Sequence, residues 1–276
     1  MRKTNSVLLL GVVLSFMCSF FLGNIFLGAI IFLTFLGFVL YKQRAAFFAS
    51  SAASAYKKGN VEKSFMLYEK AIQLEGCPNM VKILYAYRLI SEGKLDQGVK
   101  ILGTISYDSM NENERLNYNA TKALSIWKQG GLHRAIEIYE ALLNDKESML
   151  IYETLGYLLI CAKNYKKALE FNTVAFEKYN TNERIKCNLA TSYYGAGYEK
   201  EAVKLYKELI ADYAGFPEPY YYYALILQGR EKYKGALKYL KQALEQKFSC
   251  IYTLTEEMVQ DKIEEIEACL EVEEEE

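Results

Sequence analysis

The sequence predicts an all-α protein, in which an N-terminal transmembrane helix or helical hairpin precedes an α-solenoid of about six helix-turn-helix units and a C-terminal capping helix. Three observations predict it. Residues 7–41 carry no charged side chain. Small residues then recur in two registers at steps of about 34 residues, the mark of a repeat architecture. Only three prolines, Pro78, Pro217 and Pro219, interrupt 276 residues, so most of the chain is free to be helical.

The uncharged run belongs in a bilayer, and residues 7–41 are expected to contact lipid. As one straight helix it would extend about 50 Å, against a hydrocarbon core of about 30 Å. Gly23-Asn24 is its turn signal and splits it into legs of about 16 and 17 residues, so the anchor, residues 1–44, is expected to be two short helices. Gly11, Ser15, Ser19 and Gly23 form a small-residue stripe of the kind that lets membrane helices approach. A cleavable signal peptide is disfavoured, because no A-x-A site follows Arg2 and Lys3 and the apolar run continues to Tyr41. Lys42, Arg44, Lys57 and Lys58 follow the run, which places the remainder of the chain on the cytoplasmic side.

The repeat is written in small residues. Ala52, Ala86, Ala123, Gly156, Ala190 and Ala224 form one series; Ser64, Gly98, Ala135, Ala168, Ala202 and Ala236 form the second. Four residues after each member of the second come Tyr68, Leu102, Tyr139, Asn172, Tyr206 and Leu240. Two helices that cross closely need a residue without bulk at the crossing. Between the series stand Lys58-Gly59-Asn60, Glu92-Gly93-Lys94, Gln129-Gly130-Gly131 and Ala196-Gly197-Tyr198, where a helix ends and the chain reverses. The units are expected at 45–78, 79–112, 113–149, 149–182, 183–216 and 217–250, within 45–250.

These residues resemble the tetratricopeptide repeat, W-x2-L-G-x2-Y then A-x3-F then P. Leu155-Gly156, Asn164 to Leu169 and Ala175 match it best, followed by Leu189-Ala190, Tyr193, Ala202 and Tyr206, and by Tyr220, Tyr223-Ala224, Tyr233, Ala236 and Ala243. The units at 79–112 and 113–149 lack the opening aromatic. The resemblance implies a right-handed solenoid whose first helices line a concave groove for an extended peptide or a helix. Transferring the register puts Tyr56, Tyr87, Trp127, Tyr157, Tyr194, Tyr221 and Tyr222 on that wall, with Lys57, Lys128 and Arg184 between them. The Lys and Asn pattern with which some members of that family clamp a chaperone's terminal carboxylate does not occur at the corresponding positions.

After Cys250, residues 251–270 are expected to form the capping helix, opened by a capping box of Thr253 and Glu256 with Leu254, Met258, Ile263, Ile266 and Leu270 as its apolar side. Residues 271–276 are expected to be a frayed acidic tail.

Catalytic chemistry finds no foothold. His133 is the one histidine and falls at a helix start, and no Walker loop, dinucleotide fingerprint or H-E-x-x-H occurs. No cofactor and no metal site are expected, because the six cysteines Cys18, Cys77, Cys161, Cys187, Cys250 and Cys269 are scattered and read as reduced, mostly buried thiols. A net charge of -1 argues against nucleic acid as a partner. The expected role is a membrane-tethered scaffold or adaptor for a protein or peptide. The alternative is a peptide-responsive regulatory or sensor subunit. The sequence leaves the oligomeric state open.

Overall fold

The structure, a computed structural model, describes Leu9, residues 11–15, Met17, Phe20 and residues 25–275. The expected turn at Gly23-Asn24, as well as Ser19, Cys18, Arg2 and Lys3, lies outside the described residues. The chain divides into two compact units, Met1–Tyr85 and Ala86–Glu276.

Within the first unit, α1 (Ile25–Lys57) is one unbroken helix of 33 residues. The boundary expected after residue 44 therefore falls inside a helix, because charged side chains such as Lys42 and Arg44 do not break backbone hydrogen bonding. The N-terminal part of α1 is apolar and largely exposed, with Ile25, Phe26, Ile30, Leu33 and Leu40 all turned outward. Its C-terminal part presents Ala45, Ala49, Ala52 and Ala55, all buried, to α2 (Val61–Ile72). This small-residue face admits the bulky Phe65 and Tyr68 of α2, which are also buried. Ahead of α1, Gly11 lies so close to Phe35 that a Cβ would collide with its ring, and the Ser15 hydroxyl donates to the Gly28 carbonyl at 2.7 Å.

From α3 (Asn79–Ser91) onward the chain is a succession of helix pairs. α4 (Leu95–Gly103) follows α3; then come α5 (Glu112–Lys128) with α6 (Leu132–Asp145), α7 (Met149–Cys161) with α8 (Tyr165–Lys178), α9 (Glu183–Gly195) with α10 (Glu199–Ala211), and α11 (Glu218–Gln228) with α12 (Tyr233–Leu244). Each of these later pairs folds back on itself, and α7, α9 and α11 stack on one another as successive first helices. The two small-residue series are buried throughout, as are the residues four positions after the second. Tyr139 and Tyr206, from second helices, reach across to first helices, donating to the Ala120 carbonyl at 2.9 Å and to Thr191 Oγ1 at 3.0 Å.

The reversals within pairs use one device. A left-handed residue stands between the helices at Gly59, Gly93, Gly130 and Gly197. Where the sequence has no glycine there, Lys163 and Glu231 adopt the same positive φ. Asn60 and Asn164 cap the helices after two of these reversals, and Asn111, Ser148 and Asn182 cap the first helices of three pairs, each accepting a backbone N–H of the first turn.

The C-terminal element departs from expectation. α13 (Glu256–Glu275) starts at Glu256 rather than near residue 251, and it is the Thr255 hydroxyl that accepts from the Met258 N–H. Thr253 is withdrawn from any capping box by a contact described below. Its buried face is formed by Val259, Ile263 and Ile266, while Met258, expected on the apolar side, is exposed. The acidic end continues the helix through Glu275 instead of fraying after residue 270, in keeping with the high helix propensity of Glu. α13 packs on α12 and covers the apolar end of the last pair.

Candidate functional site

The helical pairs of the second unit present one wall built from first helices. Positions i and i+4 of a helix share a face, so Glu153 and Tyr157 of α7 project together, as do Leu124 and Lys128 of α5. Tyr87, Leu124, Trp127, Glu153 and Tyr157 line a cleft together with Ile251 and Tyr252. A neighbouring cleft of about 270 Å³ is lined by Tyr157, Cys161, Tyr165, Tyr194, Tyr222 and Thr253, among others. Tyr157 is common to both, so the two clefts are consecutive along the wall.

The rings are mutually ordered. Trp127 meets Tyr157 edge to face at 5.7 Å, and Lys128 lies 4.2 Å over the Trp127 ring. Tyr194 and Tyr222 are 6.2 Å apart, and Tyr222 stacks on the buried Tyr206. Arg184 is held between two rings, with its guanidinium 3.8 Å from both Phe216 and Tyr252, and it pairs with the buried Glu218 at 3.1 Å. Planar stacking on both faces with a carboxylate at the edge suits a guanidinium and not an ammonium.

The wall also holds a stretch of its own chain. Between α12 and α13 the chain turns back over the first helices. Tyr252 packs edge to face on Tyr157 at 4.8 Å and donates its phenol to Glu153 Oε1 at 3.1 Å. The Thr253 N–H donates to the Tyr157 hydroxyl at 2.8 Å, and the hydroxyls of Thr253 and Tyr157 are also 2.8 Å apart. Glu153 is fixed in turn by Asn182 and Asn188, which donate to its Oε2 and its carbonyl at 3.2 and 2.8 Å.

Electrostatics follow burial. Burial pushes the Tyr157 and Tyr252 phenols above their ordinary value, lowers Lys128, and raises the Cys161 thiol to about 11. At Arg184 burial opposes the charge, but Tyr252, Glu218, Cys187 and Glu153 around it outweigh that penalty and its pKa rises.

Of the residues singled out in the sequence, Tyr87, Trp127, Tyr157, Tyr194 and Tyr222 line these clefts, while Lys128 contacts the Trp127 ring and Arg184 the Tyr252 ring. Tyr221 is buried in the core beside Tyr222 and interacts with Lys262 and Glu265 of α13. Tyr56 and Lys57 end α1 in the first unit, half-buried and exposed respectively. Two contributors carried no signal in the repeat pattern. Glu153 was legible only as the i-4 neighbour of Tyr157, and Tyr252 not at all, since it sits outside every repeat. Cys250 is exposed, unlike the buried Cys187, and His133 is exposed on α6. Among the described residues no cluster of His, Cys, Asp and Glu could hold a metal ion.

No protein-family model matches the chain, and no curated protein matches it. Solved structures do. A tetratricopeptide repeat protein from Parabacteroides merdae has a TM-score of 0.63 at 11% identity, covering 95% of this chain and 99% of that one. Human IFIT1, in a dimer with m7Gppp-AAAA, has a TM-score of 0.63 at 18% identity, covering 84% of this chain and 58% of its own. The hetero-tetramer of the APC/C proteins Cut9 and Hcn1 likewise reaches 0.63 at 12% identity, covering 94% and 55%.

Proposed function

We propose that this chain, whose fold is that of the tetratricopeptide repeats, is a membrane-tethered adaptor that holds a protein or peptide partner on the first-helix wall of its second unit. The observation that carries this reading is the wall itself, where Trp127, Tyr157, Tyr194 and Tyr222 frame two consecutive clefts, with a turn of the chain itself, Tyr252 and Thr253, already lying against them. Partly buried aromatics and arginine are the side chains that anchor protein partners.

Tethering is supported by α1, the one helix among the described residues long and apolar enough to cross a bilayer. No described residue covers its outward apolar side chains, and lipid is the solvent that would. Where the apolar stretch ends, Arg44 stacks 3.6 Å over Tyr41 and Lys42 lies over Phe38, an arrangement suited to a membrane interface. The Gly11 and Ser15 contacts with Phe35 and Gly28 pair an earlier helical stretch with α1 in antiparallel sense, which favours the hairpin over a single span. With both ends of a hairpin basic, the repeats lie in the cytoplasm.

The test uses the full chain purified from its native membranes in mild detergent, with Tyr194→Ala as the wall variant. Truncating an aromatic anchor removes about 2 kcal/mol or more of binding, so the co-purifying partner should be lost while the melting temperature stays near that of the parent. Ala190→Leu serves as the opposite control, because Ala190 is fully buried and overpacking it costs about 1–3 kcal/mol of stability. Full partner retention by Tyr194→Ala would refute the wall as the binding surface.

A further inference from the structure

We infer that the segment between α12 and α13 is a built-in occupant of the wall, and that the outside ligand is a peptide of the same chemistry, an aliphatic residue, a tyrosine and a hydroxyl residue in succession on a turn, an inference that rests on the wall being the partner site. The internal sequence with that chemistry is Ile251-Tyr252-Thr253.

The connection is longer than its structural task requires. Other pairs are joined by shorter links, from residues 146–148 between α6 and α7 to residues 104–111 between α4 and α5. The link from α12 to α13 runs over residues 245–255, although α13 packs directly on α12. The extra length is what reaches the wall. Contacts between neighbouring repeats join residues about one repeat apart, as Arg184 and Glu218 do at 34 positions. The bonds of Thr253 with Tyr157 and of Tyr252 with Glu153 span 96 and 99 positions.

The occupant is held as a ligand would be held. Tyr252 fills the site between Tyr157 and the Arg184 guanidinium while its hydroxyl donates to Glu153, so both the ring and the O–H are read. Thr253 adds a backbone and a hydroxyl contact to Tyr157. Ile251 packs against the core of α5 to α8. Within the segment itself, Ile251 N–H donates to the Ser249 hydroxyl and Tyr252 N–H to the Ser249 carbonyl. No helix or strand hydrogen-bonding continues through it, so it can leave without unravelling α12 or α13. The open cleft lined by Tyr194, Tyr222 and Thr253 continues from its end, giving a longer peptide further wall to occupy.

The experiment measures binding of a fluorescent synthetic peptide to the full chain in detergent micelles. The peptide copies residues 246–256 with Ser replacing the Cys250 position. Three proteins are compared: the parent, the double variant Ile251→Ser with Tyr252→Ala, which removes the internal anchors, and Gly93→Cys. A Cβ on Gly93 lies 3.9 Å from the Cys250 Cβ, within disulfide range, so oxidised Gly93→Cys locks the segment in place. Because the internal segment competes for the wall, the double variant should bind the peptide at least about tenfold tighter than the parent. Oxidised Gly93→Cys should not bind it, and reduction should restore parental affinity; the strain of a side chain at φ 77° is common to both redox forms. A Phe in place of the peptide's Tyr should weaken binding by leaving Glu153 Oε1 without its donor. Equal affinity for parent and double variant, absence of binding to all three, or failure of Gly93→Cys to bond Cys250 would each overturn the inference. If the double variant does not fold, the oxidised and reduced forms of Gly93→Cys decide alone. Partner loss in Tyr194→Ala tests the adaptor reading separately: an unaffected partner with intact peptide binding refutes that reading only, and a lost partner without peptide binding refutes this one only.

Discussion

At the scale of residues, the repeat shows how one substitution demands another. Five members of the first small-residue series are alanine, but at Gly156 even a Cβ would collide with the Asn172 Oδ1. Asn172 stands where other pairs carry Tyr or Leu, and it is fully buried, donating to the Gly156 carbonyl at 3.2 Å and to Ser192 Oγ at 2.9 Å. Gly156→Ala would force Asn172 off both acceptors, at a cost of about 1–3 kcal/mol. The same change made beside Asn172→Ala should cost less, with a coupling of about 0.5–3 kcal/mol in a denaturant double-mutant cycle; simple additivity of the two costs would show that the residues do not constrain each other. The sequence reveals that Gly156 belongs to the series, since close crossing restricts volume at the same place in every unit. Its pairing with Asn172 is not legible, because the pattern records size and says nothing of which polar group fills the space. Glu153 was missed for a related reason: its partner Tyr252 lies outside the repeating register.

At the scale of elements, the helices ended where turn chemistry demanded, and charge proved a poor guide to helix boundaries. Lys42 and Arg44 mark the end of the apolar stretch, yet α1 continues through them to Lys57. Backbone hydrogen bonding does not register a change in side-chain polarity, so an apolar stretch and a repeat helix can be one element. Likewise the left-handed residues Lys163 and Glu231 close two pairs without a glycine to announce them. Removing residues 1–44 tests whether the part of α1 that remains is self-sufficient. Ala45, Ala49, Ala52 and Ala55 still pack on α2, while the new terminus leaves four N–H groups to water, which frays about one turn. The truncated chain is expected to stay in solution without detergent and to keep the strong helical circular dichroism of a solenoid. Sedimentation with the membrane fraction, or loss of helicity beyond that turn, would show that the apolar part of α1 is needed to fold the rest.

At the scale of the whole molecule, its tyrosines make alkaline pH the informative axis. Of 24 in the chain, Tyr139, Tyr157, Tyr206, Tyr222 and Tyr252 are each held above the ordinary phenol value of 10.0, in every case chiefly by burial. The phenolate form is disfavoured in the folded chain, so above pH 10 the unfolded chain releases protons that the folded chain retains. The sign of the linkage follows: the contribution is fully present below pH 10 and declines above it, by about 1.4 kcal/mol per pH unit for each group still protonated in the fold. Stepwise titration followed by phenolate absorbance should therefore show part of the tyrosine complement ionising near pH 10, and the remainder appearing together at higher pH as helical circular dichroism collapses. Because Tyr157 and Tyr252 belong to the wall and its internal occupant, while Tyr139 and Tyr206 lock second helices to first ones, a single cooperative late phase would mean that occupant and solenoid open as one. An earlier phase lost in Tyr252→Phe would mean that the segment leaves the wall before the helices separate, as displacement by a partner peptide requires. Ionisation of all tyrosines in one smooth step near pH 10 with helicity intact would contradict the burial of these five rings.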